Sequence, residues 1–256
     1  MYEGYGQTET TAGTSLTEYG DWTFNHVGGP FPCNEVKLID VPELEYYSRG
    51  SYPCGEILIR GPNCFVGYYK DPEKTAETID EDGWVHSGDI GMWDEQGRLR
   101  IIDRKKNIFK LSQGEYVVPE KIEIIIAKNS FVDQVFVHGD PLKSFVVAVI
   151  VPNAEQVCTW ANKTLETSEN DPQLALEKVN TDHRKELEEL IRGEVTKHAR
   201  STKLLRGFEI PKDVYISIEP FSPENDLLTP SYKLKRNVAA KRFEEQIKNL
   251  YSRFEE

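Results

Sequence analysis

The sequence predicts an α+β, or mixed α/β, fold in which a β-rich part precedes a part that alternates strands and helices. The first hundred residues alternate short runs of mixed apolar and polar residues with glycine and proline turns, as half-buried strands do. Residues 144–151 form an almost continuous apolar run, which is typical of a strand buried on both faces. Residues 182–197 carry apolar side chains at helical spacing among many charges.

These patterns predict the elements in chain order. Strands are predicted at 35–40, 56–60, 98–102, 107–112, 144–151 and 214–218, and helices at 119–128, 182–197 and 237–254. Pro119 favours a helix start, because its fixed φ suits the first helical turn. Residues 164–181 are polar and acidic, which favours a solvated insertion. A domain boundary is predicted between Asp103 and Lys106, where the pattern changes to alternating strands and helices.

Composition argues against several classes of function. The 256 residues carry a net charge of −12, which disfavours a nucleic-acid partner, since phosphate backbones are bound by basic surfaces. No apolar run is long enough for a transmembrane segment, and the N-terminal residues lack the pattern of a signal peptide. The four cysteines and five histidines match no disulfide framework and no zinc motif, which favours an intracellular, cytosol-facing compartment.

The segment from Gly4 to Thr10 contains the parts of a nucleotide site. Tyr5 can stack on a base, Thr8 can donate to a phosphate oxygen, and Glu9 can hold Mg²⁺, which takes one or two carboxylates together with substrate phosphates. The alternative is a glycine-rich turn with surface threonine and glutamate, because the third glycine of a dinucleotide-binding fingerprint is absent.

Three further segments carry candidate groups, each with a plainer alternative. Asp89 can accept hydrogen bonds from a ribose diol, or it is only an aspartate in a glycine turn. Residues 104–106 are three consecutive cations, suited to a phosphate or to pairing between domains, or they form a solvated basic run. Lys233 lies on a proline-initiated loop that can deliver it to an anionic site, or it belongs to a basic surface segment before the last helix.

The order of these segments resembles the AMP-forming adenylating superfamily, which includes the acyl-CoA synthetases. The resemblance rests on Tyr5-Gly6-Gln7-Thr8-Glu9, Gly67-Tyr68-Tyr69-Lys70-Asp71-Pro72-Glu73-Lys74-Thr75, His86-Ser87-Gly88-Asp89, Ile102-Asp103-Arg104-Lys105-Lys106, Phe109 to Val117 and Leu228 to Arg236. It covers nearly the whole chain and is strongest for the eukaryotic long-chain fatty-acid CoA ligases. It implies that residues 1–103 are the C-terminal part of the large AMP-binding domain and that residues 104–256 are a small mobile lid domain.

The resemblance also implies the site residues. Those implied to bind nucleotide are Tyr5 at the adenine, Gly6 in the same motif, Thr8 at the α-phosphate, and Asp89 and Arg104 at the ribose. Glu9 is implied to hold Mg²⁺, Lys106 to be the hinge, Lys233 to bridge carboxylate and α-phosphate oxygens, and Gly114 and Tyr116 to line the pantetheine path. Ser87 and Tyr232 depart from the pattern, where threonine and glycine are commoner, and neither removes a charge or a donor.

The implied reaction joins a fatty acid to coenzyme A with ATP, through an acyl-adenylate, and releases AMP and pyrophosphate. Lys233, Thr8 and Glu9 are the implied catalytic residues. No segment of the 256 residues matches the phosphate loop of this family. We therefore expect the C-terminal part of a longer enzyme, inactive when isolated.

Two alternatives to this function stay open at this point. One is a non-catalytic fragment that binds nucleotide or serves as an interaction module. The other is an adenylating enzyme that loads a carrier protein. For a longer ligase, the resemblance is also compatible with peripheral association with endoplasmic reticulum, mitochondrial outer or peroxisomal membranes.

Overall fold

Short strands and turns dominate the first hundred residues, as the sequence predicts. The computed structural model describes residues 2–254, and these divide into one unit that ends at Ile108 and a second that begins at Phe109. The elements of the first unit are β1 (Gly4–Tyr5), β2 (Ser15–Leu16), β3 (Gly29–Pro30), β4 (Glu35–Ile39), β5 (Cys54–Arg60), α1 (Pro72–Thr78), β6 (Val85–Trp93) and β7 (Leu99–Arg104).

Two antiparallel sheets organise the first unit. Strands β1, β2 and β3 form a small sheet, and strands β4 to β7 form a four-stranded meander in chain order. Ile57, Ile59 and Leu99 are fully buried in the core on the meander, and the ring of Tyr5 packs against this cluster. The small sheet and the meander thus share one apolar core, which fixes the start of the Gly4 to Thr10 segment.

The second unit alternates strands and helices. Its elements are β8 (Phe109–Lys110), β9 (Tyr116–Val117), α2 (Pro119–Ile126), β10 (Val132–Gly139), β11 (Val146–Pro152), α3 (Ala154–Thr164), α4 (Pro172–Asp182), α5 (Arg184–Thr202), β12 (Val214–Ile216), α6 (Arg236–Arg242) and α7 (Glu244–Ser252). Strand β11 is central, antiparallel to β10 and parallel to β12.

Strand β11 separates two hydrophobic cores. Every residue of this strand is buried, which confirms the prediction made from the apolar run. Because side chains alternate along a strand, one set, Val146, Ala148 and Ile150, enters the core with helices α2 to α5. The other set, Val147, Val149 and Val151, packs with helices α6 and α7.

Three expectations from the sequence are wrong in detail. Residues 164–181 are not simply a solvated insertion, because α4 buries Ala175, Leu176 and Val179 in the core and Asp171 caps its N-terminus. The predicted C-terminal helix is two helices, α6 and α7, interrupted at Phe243. Of the strand predicted at 107–112, only Phe109–Lys110 forms, because it pairs with the short strand β9 alone.

Two observations bear on the organisation of the chain. Strand β7 ends at Arg104, and the first unit continues through a short 3₁₀ helix, Lys105–Asn107. The division into a large domain to residue 103 and a mobile domain from residue 104 stays a prediction. Among residues 2–254, no helix combines the length and apolar composition needed to cross a membrane.

Candidate functional site

Three residues predicted to bind nucleotide lie in contact within the first unit. The Tyr5 phenol donates a hydrogen bond to Asp89 Oδ2 at 2.7 Å, and Arg104 Nε lies 3.4 Å from Asp89 Oδ1. Tyr5 and Asp89 are 84 residues apart in the sequence, so only the fold brings them together. A carboxylate has about four lone-pair positions. The contact therefore places a carboxylate, a group that accepts hydrogen bonds from hydroxyls, beside an aromatic ring and a cation.

The environment of Tyr5 fixes the direction of this hydrogen bond. Burial of the ring raises the pKa of the Tyr5 phenol well above its usual range, and the negative charge of Asp89 raises this pKa further. The phenol therefore stays protonated at neutral pH and donates to the carboxylate.

Asp89 lies on strand β6, not in an isolated glycine turn. Its register partner on β7 is Arg104, so the ion pair is a cross-strand pair. The Asp89 amide donates to Ser87 Oγ at 3.0 Å, and Gly88 between them has a φ of +69°. The Gly88 amide donates to Glu56 Oε1 at 3.3 Å. These bonds hold a local irregularity in the strand, and they explain why the sequence pattern suggested a turn.

The segment that carries Thr8 and Glu9 is tightly folded. Residues Thr8–Thr10 form a 3₁₀ helix, with Thr8 exposed and Glu9 partly exposed. A Cβ atom at Gly6 would lie 2.1 Å from the carbonyl oxygen of Ala12, so only glycine permits this close approach. Gly6 therefore shapes the loop, and its role in nucleotide binding stays a prediction.

Glu9 is held from both its backbone and its side chain. The Phe65 amide donates to the Glu9 carbonyl oxygen at 2.8 Å, and the Tyr68 phenol donates to Glu9 Oε1 at 2.5 Å. The sequence patterns assign no role to Tyr68. A sequence signal for Tyr68 was nevertheless present. Asp71-Pro72 is a helix-start pattern, and it places Tyr68 in the ordered turn before the helix.

The surroundings of Glu9 fit Mg²⁺ bound together with a nucleotide. In the described part of the chain, no group of three or more metal-binding side chains forms an all-protein site. Magnesium in nucleotide sites is usually held by one or two carboxylates, substrate phosphates and water. Glu9 offers one partly exposed carboxylate on the loop that also carries Thr8. It is therefore the residue that would hold the ion.

The three consecutive cations at the end of β7 have different surroundings. Arg104 pairs with the buried aspartate described above. Lys105 Nζ lies 3.0 Å from Glu43 and 3.4 Å from Glu56, and the hydrogen bond with Glu43 raises the pKa of Lys105. Lys106 is exposed, and no carboxylate of residues 2–254 lies within ion-pair distance of it. Of these three cations, Lys106 alone makes no ion pair among the described residues, and its role as a hinge stays a prediction.

In the second unit, Lys233 closes a tight turn. The Thr229 amide donates to the Lys233 carbonyl oxygen at 2.8 Å, and the Lys233 amide donates to Thr229 Oγ1 at 3.0 Å. Tyr232 has a φ of +59°, in the left-handed region that favours glycine. The Lys233 side chain is exposed, and within the described ranges it makes no ion pair. The turn thus presents an unpaired cation to solvent.

Gly114 and Tyr116 belong to the hairpin of β8 and β9. The Gly114 amide donates to the Leu111 carbonyl oxygen at 2.9 Å, and Gly114 has a φ of +93°. A Cβ atom there would meet only Lys110 Cε, at 3.7 Å, and Lys110 Nζ lies 4.7 Å from the Tyr116 ring centre. The positive φ accounts for glycine by itself, so passage of pantetheine stays a prediction.

Two sequence comparisons find related proteins. The AMP-binding enzyme family matches residues 1–69. Long-chain-fatty-acid–CoA ligase 6 of Homo sapiens is 48% identical over 255 residues, which cover 98% of this chain and 35% of that protein. Long-chain-fatty-acid–CoA ligase 5 of Rattus norvegicus is 47% identical over 264 residues, which cover 100% of this chain and 36% of that protein. The chain thus spans about a third of the length of these curated relatives.

A solved structure supports the same relationship. The adenylation domain of a carboxylic acid reductase from Segniliparus rugosus, solved with AMP and a co-purified carboxylic acid, is 32% identical to this chain. The match has a TM-score of 0.79 and covers 99% of this chain and 36% of that one. The mixed α and β fold of this chain, its motifs and its identity to these relatives along its whole length show that it belongs to the family of AMP-binding enzymes.

Proposed function

We propose that this chain is the nucleotide-binding and lid part of a long-chain fatty-acid–CoA ligase. The contact among Tyr5, Asp89 and Arg104 is the observation that carries the proposal, since it joins an aromatic ring, a buried carboxylate and a cation at one place. The identity of 48% to a long-chain ligase supports the choice of substrates, which are a fatty acid, ATP and coenzyme A.

The proposed first half-reaction forms an acyl-adenylate. A carboxylate oxygen of the fatty acid attacks the α-phosphorus of ATP, and the bond to pyrophosphate breaks. Asp89 and Arg104 hold the ribose, Tyr5 lies against the adenine, and Thr8 donates to the α-phosphate. Lys233 neutralises negative charge that develops between carboxylate and phosphate oxygens, so it acts by electrostatic stabilisation and not as a nucleophile. When bound at Glu9, Mg²⁺ neutralises phosphate charge.

The proposed second half-reaction transfers the acyl group to coenzyme A. The thiol sulfur attacks the acyl carbonyl carbon, and AMP leaves. Lys106 is the proposed hinge about which the second unit exchanges the Lys233 turn for the hairpin of Gly114 and Tyr116. Such an exchange allows one site to carry out two reactions whose reagents need the same space.

Nucleotide titration tests the proposal on the 256-residue chain itself. We expect AMP and a hexadecanoyl sulfamoyl-adenosine, a stable mimic of an acyl-adenylate, to bind in isothermal titration calorimetry. Asp89→Asn should weaken both by about 10-fold or more, because a hydrogen bond to a charged group is lost. Asp82→Asn makes the same change at an exposed carboxylate and should have no effect. A chain that binds neither ligand contradicts the proposal and favours an interaction module.

A graft tests the overall reaction. In the grafted ligase, this chain replaces the matching third of human long-chain-fatty-acid–CoA ligase 6. We expect the graft to form acyl-CoA from a long-chain fatty acid, and the isolated 256 residues to show no fatty-acid-dependent pyrophosphate exchange. Transfer to a carrier-protein pantetheine in preference to coenzyme A would instead support the carrier-loading alternative.

A further inference from the structure

One segment of the family resemblance has no role in the function proposed above. This is the run Gly67 to Thr75, which joins the end of the β5 region to helix α1. Its second residue, Tyr68, donates a hydrogen bond from its phenol to Glu9 Oε1 at 2.5 Å across 59 residues of sequence. The segment therefore contacts the proposed metal-binding carboxylate directly.

The ring of Tyr68 is fixed by its neighbours. Phe65 lies edge-on to it, with ring centres 4.9 Å apart, and Lys74 Nζ lies 4.3 Å from the ring centre. The Tyr68 amide donates to Thr75 Oγ1 at 2.9 Å, and the Thr75 hydroxyl donates to the Asp71 carbonyl oxygen at 2.8 Å. Ring and backbone are thus tied to the first turn of α1.

The other residues of the segment build this turn. Asp71 caps α1 by accepting from the Lys74 amide at 3.0 Å, and Pro72 occupies the first helical position. Gly67 has a φ of +142°, and a Cβ atom there would lie 2.7 Å from the Thr75 side chain. The glycine, the helix cap and the Thr75 hydroxyl together fix the turn that positions Tyr68.

The same segment also holds the backbone of Glu9. The Phe65 amide donates to the Glu9 carbonyl oxygen at 2.8 Å, so residues 65–68 contact Glu9 at both ends. With its main chain and one carboxylate oxygen fixed, Glu9 loses freedom that a partly exposed glutamate otherwise has. Holding Oε1 restricts the directions that the second oxygen, Oε2, can face.

We propose that Tyr68 is a positioning residue for the metal-binding carboxylate of Glu9. This role rests on the function proposed above. By holding Oε1, the phenol would orient Oε2 toward a magnesium ion bound to the nucleotide phosphates. Groups that orient a metal ligand in this way typically change metal affinity by about 10- to 100-fold when removed.

The test compares nucleotide binding with and without Mg²⁺ on the 256-residue chain. The magnesium effect is the ratio of the Kd of free ATP, measured with EDTA, to the Kd of ATP·Mg²⁺, by calorimetry or ligand-observed NMR. We expect Tyr68→Phe, which keeps the ring, to reduce this ratio by about 10-fold while the Kd of free ATP stays unchanged. Glu9→Gln gives the lower limit of the ratio, since loss of the carboxylate should abolish the magnesium effect.

Tyr69→Phe is the matched control. Tyr69 is the adjacent tyrosine and is 88% exposed, so the same loss of a hydroxyl should leave the magnesium effect at the wild-type value. A magnesium effect in Tyr68→Phe equal to that of the wild type overturns the positioning role alone. Equal weakening of free ATP and ATP·Mg²⁺ with a lowered melting temperature also overturns it, because Tyr68 is then only structural. A wild-type chain that binds neither form overturns both this role and the proposed function.

Discussion

The two units of this chain present their candidate residues in opposite ways. In the first unit, side chains hold each other: Tyr5 and Arg104 flank Asp89, and Tyr68 holds Glu9. In the second unit, Lys233 stands exposed on a turn whose bonds involve the main chain and a threonine hydroxyl, without an ion pair among the described residues.

This difference is the one expected between residues that bind a ligand and a residue that moves into the site for one step. A site that binds a ligand benefits when its polar groups are oriented before the ligand arrives, because ordering them later lowers affinity. A cation that acts in only one of two half-reactions must be free to leave the site, and a stable ion pair would oppose that movement. These contacts agree with the preorganised nucleotide site proposed for the first unit, and the exposure of Lys233 agrees with its proposed delivery.

The largest expected effect tests the delivered group. Lys233→Ala in the grafted ligase should slow acyl-adenylate formation by on the order of 10²- to 10³-fold, because a contact made in the transition state is lost. Thioester formation from supplied acyl-adenylate should change little. Pyrophosphate exchange and single-turnover transfer measure the two steps separately. Lys241→Ala, an exposed lysine on α6, is the control. Equal reductions in the rates of both steps would mean that Lys233 has a structural role. The proposed difference between the two units would then not hold.

The hairpin of the second unit allows a sharper test of exchange. Gly114→Asn keeps a residue that tolerates positive φ and adds a side chain, whereas Gly114→Leu adds both bulk and backbone strain. If pantetheine passes Gly114, the asparagine variant should slow transfer to coenzyme A by on the order of 10-fold with an unchanged melting temperature. Adenylate formation should stay near normal. A normal transfer rate in Gly114→Asn would leave only the backbone conformation to explain this glycine.

The sequence predicted the fold best where one physical signal was strong. The apolar run of β11 and the proline at the start of α2 predicted the bounds of both elements to within two residues. Helix α4 was missed because its three buried apolar residues lie in a segment that is otherwise mostly polar, although the cap Asp171 and the adjacent Pro172 already indicated a helix start. In this segment the polar composition was given more weight than the helix-start pattern.

The site was predictable in its residue types and not in its contacts. Motif order singled out Tyr5, Asp89 and Arg104, yet only the register of β6 with β7 makes Arg104 the partner of Asp89. The bond from Tyr68 to Glu9 joins a helix-start turn to a loop far away in the sequence. No periodicity carries such information, because it depends on how the meander and the small sheet pack together.

The dependence of stability on pH tests whether other side-chain networks also stabilise the first unit. Hydrogen bonds from the Thr23 hydroxyl and amide, assisted by Arg98 and His26, lower the pKa of Asp21 from 3.8 to about 2. A lowered pKa in the folded state stabilises the protein above the unfolded value, and this contribution is lost as the pH falls from about 4 to about 2.

We therefore expect the melting temperature of the wild type to fall more steeply between pH 4 and pH 2 than that of Asp21→Asn. Tryptophan fluorescence follows the transition, since Trp22, Trp84 and Trp93 all lie in the first unit. Below pH 2 the two proteins should converge. Parallel curves across the whole interval would mean that the network around Asp21 contributes nothing through charge.

The smallest expected effect concerns the backbone of the Lys233 turn. Tyr232 is 74% exposed at a φ of +59°, so its side chain contributes little packing while its Cβ strains the backbone. Tyr232→Gly removes that strain at the cost of greater freedom in the unfolded chain, and the net gain in the free energy of unfolding should be roughly 0.5 kcal/mol. Tyr232→Ala keeps the Cβ and should bring no gain, which makes it the matched control in urea denaturation. If glycine and alanine instead behave alike, the Tyr232 Cβ does not strain this turn, and the contrast between the paired side chains of the first unit and the Lys233 turn rests on the exposure of Lys233 alone.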